Sequence, residues 1–135
     1  DILNSKIKKL KLNNAKSLFV ELDKGDILTG QYDLVISNMT LHHIKDIDSL
    51  FKQFYNIIKP KGYLCLSDLD LDGGKFHNDN TGVFHFGFSR EELKNTFINA
   101  GFKNVKNTTA DKITKPTVDG ELKTFSIFLM SGQKT

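Results

Sequence analysis

Four histidines are the residues of this sequence best suited to moving a proton. His42 and His43 stand together in the stretch Tyr32 to Ile44, YDLVISNMTLHHI, where an apolar run (Leu34, Val35, Ile36) turns polar at Ser37 and Asn38. His77 and His85 lie further on, in Asp70 to Phe88, among Phe76, Phe84, Phe86 and Phe88. An imidazole with an unperturbed pKa of roughly 6.5 can take a proton from an attacking hydroxyl near neutrality. Consecutive residues at a helix start point about 100° apart, so one of His42 and His43 is expected to pack or cap while the other faces a pocket. His77 and His85, with Phe76, Phe84 and Phe86, are the expected lining of a substrate pocket, in which aromatic walls exclude water and a histidine orients or deprotonates the bound molecule. The competing reading puts the phenylalanines in the core and the histidines on the surface.

Asp68, Asp70, Asp72 and Gly73, with Asp79, imitate the start of a calcium-binding loop. Such a loop follows a helix and ends in a bidentate Glu, whereas this one follows an apolar strand and ends in Asp. The histidines have no short paired spacing beyond the adjacent two, and Cys65 sits inside the apolar run YLCLS. No metal site is expected. Asp68 is placed at the pocket end of its strand, and Asp70 and Asp72 in the loop beyond.

The elements that must position these groups follow from periodicity. Ile2, Leu3, Ile7 and Leu10 recur at helical spacing until Asn13-Asn14 breaks the pattern, and Ser17 to Leu22 reads as a strand ended by Asp23-Lys24-Gly25-Asp26. The strand within Tyr32 to Asn38 comes next. Ile47, Leu50, Phe51, Phe54, Ile57 and Ile58 predict a helix over Asp46 to Lys59, with Asp46 as N-cap and Pro60 and Gly62 as its stop. Tyr63 to Leu69 is a nearly continuous apolar strand. Asp70 to Phe88 has no clean period, and it is too long for an ordinary connection and too aromatic for a solvated linker; loops of this kind often act as lids. Ser89 caps a helix that runs to Gly101, with Glu92 completing a capping box. Strands Phe102 to Thr108 and Leu122 to Ser131 close the chain around a polar loop containing Pro116 and the turn pair Asp119-Gly120.

Totals set the outer limits. A chain of 135 residues with eleven Phe and no Trp fits one domain with one core. Nineteen Lys plus Arg against sixteen Asp plus Glu leaves a net charge of +3, spread along the chain, so nucleic acid is not an expected partner. No run approaches the roughly 18 apolar residues of a membrane helix. A single cysteine precludes an internal disulfide, and a cytoplasmic, soluble protein is the expectation.

Several of these residues together resemble one family. QYDLVISNMTLHHIKD, NIIKPKGYLCLSDLD, FHFGFSREELKNTFINAGF and the closing hairpin, in this order and spacing, look like the class I S-adenosylmethionine-dependent methyltransferases, especially the small-molecule branch similar to the quinone-biosynthesis enzymes. The resemblance covers most of the chain from Lys16 onward. It implies an α/β fold, a truncated Rossmann-like sheet, mostly parallel, with an antiparallel strand from the C-terminal hairpin. It also implies S-adenosyl-L-methionine as cofactor and a small-molecule acceptor.

By the resemblance, Leu22 would pack on the adenine ring and Asp23 accept its amino group. Ser37, Asn38 and Met39 would lie near the sulfonium and amino-acid part, and Asp68 would face the acceptor. Asp23 also reads as a solvated turn residue, and Asn38 as a turn former. No G-x-G pattern, the family's glycine-rich turn, occurs in these residues, so residues 1–135 correspond to a single partial methyltransferase domain, expected to be inactive or weakly binding alone, with methyl transfer an activity of the intact protein. The two strands that would separate Ser17 to Leu22 from Tyr32 to Asn38 have no counterpart, which leaves strand 32–38 with a bare edge and makes self-association through it an expectation. A non-catalytic module that keeps this part of the fold for partner binding is the alternative.

Overall fold

Leu64, Leu66 and Asp68 alternate with Cys65 and Ser67 along one strand, so all three project to the same side of a sheet, where they are buried. The computed structural model describes all 135 residues. It contains helices α1 (Ile2–Lys9), α2 (Ile47–Ile57) and α3 (Arg90–Ala100) and strands β1 (Tyr32–Asn38), β2 (Ile58–Leu69), β3 (Lys103–Pro116) and β4 (Leu122–Gln133). The sheet order is β1-β2-β4-β3. β1 and β2 are parallel, and β4 is antiparallel to both of its neighbours. Three strands therefore share a direction and only β4 is reversed.

Helices α2 and α3 cover one face of the sheet. Phe51, Phe54 and Ile57 from α2 and Leu93 and Phe97 from α3 meet Leu64, Leu66, Phe128 and Met130 from the strands in one apolar cluster. Phe97 packs edge-on against Phe51 at 5.0 Å and against Phe102 at 5.7 Å, a geometry that aromatic rings favour. The starts of α2 and α3 and the end of α3 are those the sequence predicts. Asp46 accepts from the Ser49 N–H at 3.0 Å, Ser89 accepts from the Glu92 N–H at 3.4 Å, and Gly101, at φ +114°, ends α3 in the left-handed conformation.

Three expectations change. Ser17 to Leu22 is not a strand: the segment pairs with nothing, Leu18 and Phe19 are 75% and 83% exposed, and a short 3₁₀ turn occupies Leu22–Lys24. An apolar run becomes a strand only where a neighbour takes its hydrogen bonds, and none is present here. Helix α2 stops at Ile57 and the chain enters β2 directly, because Ile58 is buried and pairs with Tyr32 while Pro60 biases Lys59 towards extended backbone. β3 runs to Pro116, well beyond Thr108, because β4 supplies a partner along that whole length. The hairpin turn itself closes as expected, with Thr117 donating to Glu121 O at 2.8 Å and Gly120 at φ +81°.

β1 is an edge strand. Val35 packs against the core, whereas Leu34 and Ile36 are 54% and 74% exposed on the face opposite the helices. α1 has no buried residue.

The loop between β2 and α3 is closed at its base like a zip. Phe88 N–H donates to Leu69 O at 2.9 Å, Asp72 N–H to Phe86 O at 3.0 Å, and Arg90 forks onto Asp70 at 2.7 and 2.8 Å. Gly87 makes this approach feasible: at φ +79° any Cβ would overlap the Asp70 carbonyl. Gly87→Ala is expected to destabilise the fold by about 1–3 kcal/mol through combined backbone strain and overlap. A denaturant midpoint equal to that of the wild type would contradict this.

Candidate active site

Parallel strands in an open α/β sheet leave a crevice beyond their C-terminal ends, and the polar residues converge there. Asn38 stands opposite Ser67 in the β1–β2 register, with the Ser67 hydroxyl donating to Asn38 Oδ1 and Met39 N–H donating to Ser67 O at 2.9 Å. Met39 has φ +52°, the left-handed region that is uncommon for a residue with a side chain. That turn ends β1 and feeds a 3₁₀ turn, Leu41–His43, which sets His42 beside the end of β2.

His42 and Asp68 form the centre. His42 is 1% exposed and Asp68 is fully buried. His42 Nδ1 lies 2.7 Å from Asp68 Oδ1, the Leu69 N–H donates to the same oxygen at 2.8 Å, and the His42 N–H donates to Oδ2 at 3.2 Å. A buried carboxylate is tolerated only when its oxygens are satisfied, and here both are. Because a carboxylate only accepts, Nδ1 carries a proton, and Nε2 lies outside the pair.

Two more histidines surround this pair. The His42 and His43 rings are 4.3 Å apart, His42 and His77 4.9 Å, and His43 and His77 5.8 Å. His77 Nε2 is buried without a hydrogen-bond partner. Desolvation pushes the His77 pKa below its ordinary 6.5, His42, His43 and Lys115 push it the same way, and Asp72 opposes them. The loop over the cluster is held from below. Phe84 N–H donates to His42 O at 2.9 Å, His43 Nδ1 lies 2.9 Å from Gly82 O, and His85 Nε2 lies 2.8 Å from Ile44 O.

The residues singled out in the sequence therefore fall into separate groups. His42, His43, His77 and Asp68 are brought together. His85 tethers the loop to Ile44 and lies against Phe88. Phe76 packs edge-on against His77 at 5.0 Å and against Phe125 at 5.2 Å, whereas Phe84 and Phe86 are about half exposed. Leu22 and Asp23 line a crevice of about 460 Å³ with Ile44, Ser49, Leu50 and Phe84, which Ser37, Asn38 and Met39 do not line. The acids of the calcium-like pattern are engaged one by one: Asp68 with His42, Asp70 with Arg90, Asp72 with the Gly74 N–H and Asp79 with Thr81.

Sequence reasoning missed the pairing of Asp68 with His42. Its signal lies in the register: with Asn38 beside Ser67, the residue after Ser67 must meet the turn after Asn38. It also missed Lys115 and Phe125, which reach the site only because the hairpin extends past Thr108.

The family follows from these features together with the comparisons. A model described as a methyltransferase domain matches residues 1–107, and the chain belongs to that family, whose cofactor is S-adenosyl-L-methionine. An uncharacterised methyltransferase of Schizosaccharomyces pombe is 27% identical over 121 residues, covering 78% of this chain and 43% of that protein. The chain thus spans less than half the length of that relative. Among solved structures, a SAM-dependent methyltransferase from Aquifex aeolicus superposes with a TM-score of 0.61 at 17% identity, covering 97% of this chain and 61% of that one. Phosphoethanolamine N-methyltransferase 2 of Haemonchus contortus, in complex with S-adenosyl-L-methionine, gives 0.55 at 14% identity, covering 76% and 33%. At such identities the structural matches establish the fold.

The His77 environment predicts a pH dependence. A histidine whose pKa is lowered by folding binds its proton more readily when unfolded, so stability falls as pH drops from the unfolded value near 6.5 towards the folded one. Below the folded value the loss is complete. His77→Gln is expected to flatten the melting temperature against pH on the acid side of 6.5; an unchanged slope would contradict the assignment.

Proposed function

We propose that this domain serves S-adenosylmethionine-dependent methyl transfer to a small-molecule acceptor, with His42 receiving the acceptor's proton. The observation that carries the reading is the buried His42–Asp68 pair at the C-terminal ends of the parallel strands, which engages His42 through Nδ1 and leaves Nε2 outside the contact. The cofactor, when bound, supplies a methyl carbon activated by positive sulfur. With the methyl group supplied by the bound cofactor, His42 Nε2 would take the proton that the acceptor gives up. Asp68 holds the ring in the receiving tautomer and balances the imidazolium that results. His77 and Phe76 keep this side of the site dry, and the loop tethered by His43 and His85 closes it.

The residues present suit part of the cofactor. Leu22 offers partly buried apolar surface, and Asp23 an exposed carboxylate on the rim of the same crevice, a pairing that suits an adenine ring and its amino group. Ser37, Asn38 and Met39 present backbone and short polar groups at the end of β1, suited to the amino-acid end. His42→Gln is expected to lower the rate of methyl transfer from labelled S-adenosylmethionine by about 10²–10⁴-fold across a panel of small-molecule acceptors, with cofactor affinity by calorimetry unchanged. An undiminished rate would overturn the role given to His42.

The bare edge of β1 favours a second reading, a module that associates with another copy through Tyr32–Asn38, with or without catalysis. Unpaired backbone groups next to exposed Leu34 and Ile36 are a template for strand addition. Light scattering is expected to give a mass above the monomer at rising concentration, and Ile36→Lys is expected to restore the monomer. A strictly monomeric wild type at high concentration would remove this reading.

A further inference from the structure

Lys115 and Lys123 stand directly opposite each other in the β3–β4 register. Residues so paired point to the same face, and like charges there destabilise a hairpin. Neither ammonium has a carboxylate within ion-pair distance: the lysine pairs present are Lys24–Glu21 and Lys59–Asp33. Both are held over aromatic rings instead. Lys115 Nζ lies 3.8 Å from the centre of the Phe76 ring, and Lys123 Nζ 5.4 Å from that of Phe125. The two rings pack on each other, and Phe76 packs in turn on His77, which neighbours the His42–Asp68 pair. Lys115 is thus linked to the His42 site through the packed rings of Phe76 and His77, and Lys123 lies one ring further out on Phe125.

Beside Lys115 is an open crevice of about 530 Å³ lined also by Asn78, Pro116, Thr117 and Val118. Asn78 can add an amide donor and Thr117 a hydroxyl. Aromatic faces hold an ammonium without neutralising it, so each lysine remains available to an anion.

We propose that Lys115, with Asn78 in the same crevice and Lys123 opposite it in the register, forms an anion subsite that selects an acceptor carrying a phosphate or carboxylate group. The subsite deepens the methyl-transfer reading by naming the charge class of the acceptor, and it rests on that reading only for the word acceptor. The pairing across the hairpin gives it a physical purpose: an anion beside Lys115 would offset the repulsion that the register imposes.

The test uses the whole chain without cofactor, so its failure is distinct from failure of methyl transfer. Inorganic phosphate and malonate are titrated separately at low salt while the His77 ring proton and the Lys115 and Lys123 amide signals are followed by nuclear magnetic resonance. Saturable binding of phosphate, of malonate or of both is expected, and the tighter of the two identifies the acceptor's anionic group. Lys115→Met, which keeps the apolar stem on Phe76, is expected to weaken binding by about tenfold or more. Lys123→Met is expected to do the same, and Lys115→Arg to retain affinity, with circular dichroism confirming that each variant is folded. A linear, unsaturated response to both anions, or equal affinity in wild type and Lys115→Met, would overturn the proposal.

Discussion

A fully buried carboxylate is the constraint on which the rest of this structure depends. Asp68 sits at the end of β2 on the face covered by helices, where an unpartnered charge would cost several kcal/mol. Only the turn after β1 brings donors to both of its oxygens, through the ring and the backbone of His42. The β1–β2 register, the left-handed step at Met39 and the 3₁₀ turn at Leu41–His43 all serve that contact. The same contact fixes the tautomer of His42 and so decides which of its nitrogens is open to chemistry.

Around this centre the chain builds a roof from two segments distant in sequence. The loop from Asp70 to Phe88 is zipped at its base by Arg90 and the Leu69 carbonyl, and it is fastened above the site by backbone bonds to His42 and by His43 and His85. The extended β3–β4 hairpin supplies the other wall, where Phe125 receives Phe76. The histidines of the loop therefore divide their work. His85 is a tether, whereas His77 is part of the wall, its pKa lowered by desolvation first and then by His42, His43 and Lys115.

Features encoded locally were legible in the sequence. Asp46 and Ser89 cap the helices they precede, Gly101 ends α3, and Asp119-Gly120 turns the hairpin, because each depends on residues within a turn of itself. Family resemblance added the sheet and its single reversed strand. Features that need a neighbour were not legible. Leu18 and Phe19 have strand composition but no strand to pair with, and the pairing of His42 with Asp68 spans 26 residues and emerges only from register. The position of Lys115 over Phe76 follows from the length of β3, which composition does not reveal. The residues expected to hold the cofactor lie in two places, Leu22 and Asp23 in one crevice and Ser37 to Met39 outside it.

The central claim is that Asp68 holds His42 with its proton on Nδ1 and its lone pair on Nε2. Nitrogen-15 chemical shifts of the His42 ring, recorded at neutral pH on the folded chain, test it directly. The account predicts a protonated Nδ1 and an unprotonated Nε2, with both signals altered by Asp68→Asn. A proton on Nε2 with Nδ1 bare, or a ring indifferent to the loss of the Asp68 charge, would contradict it.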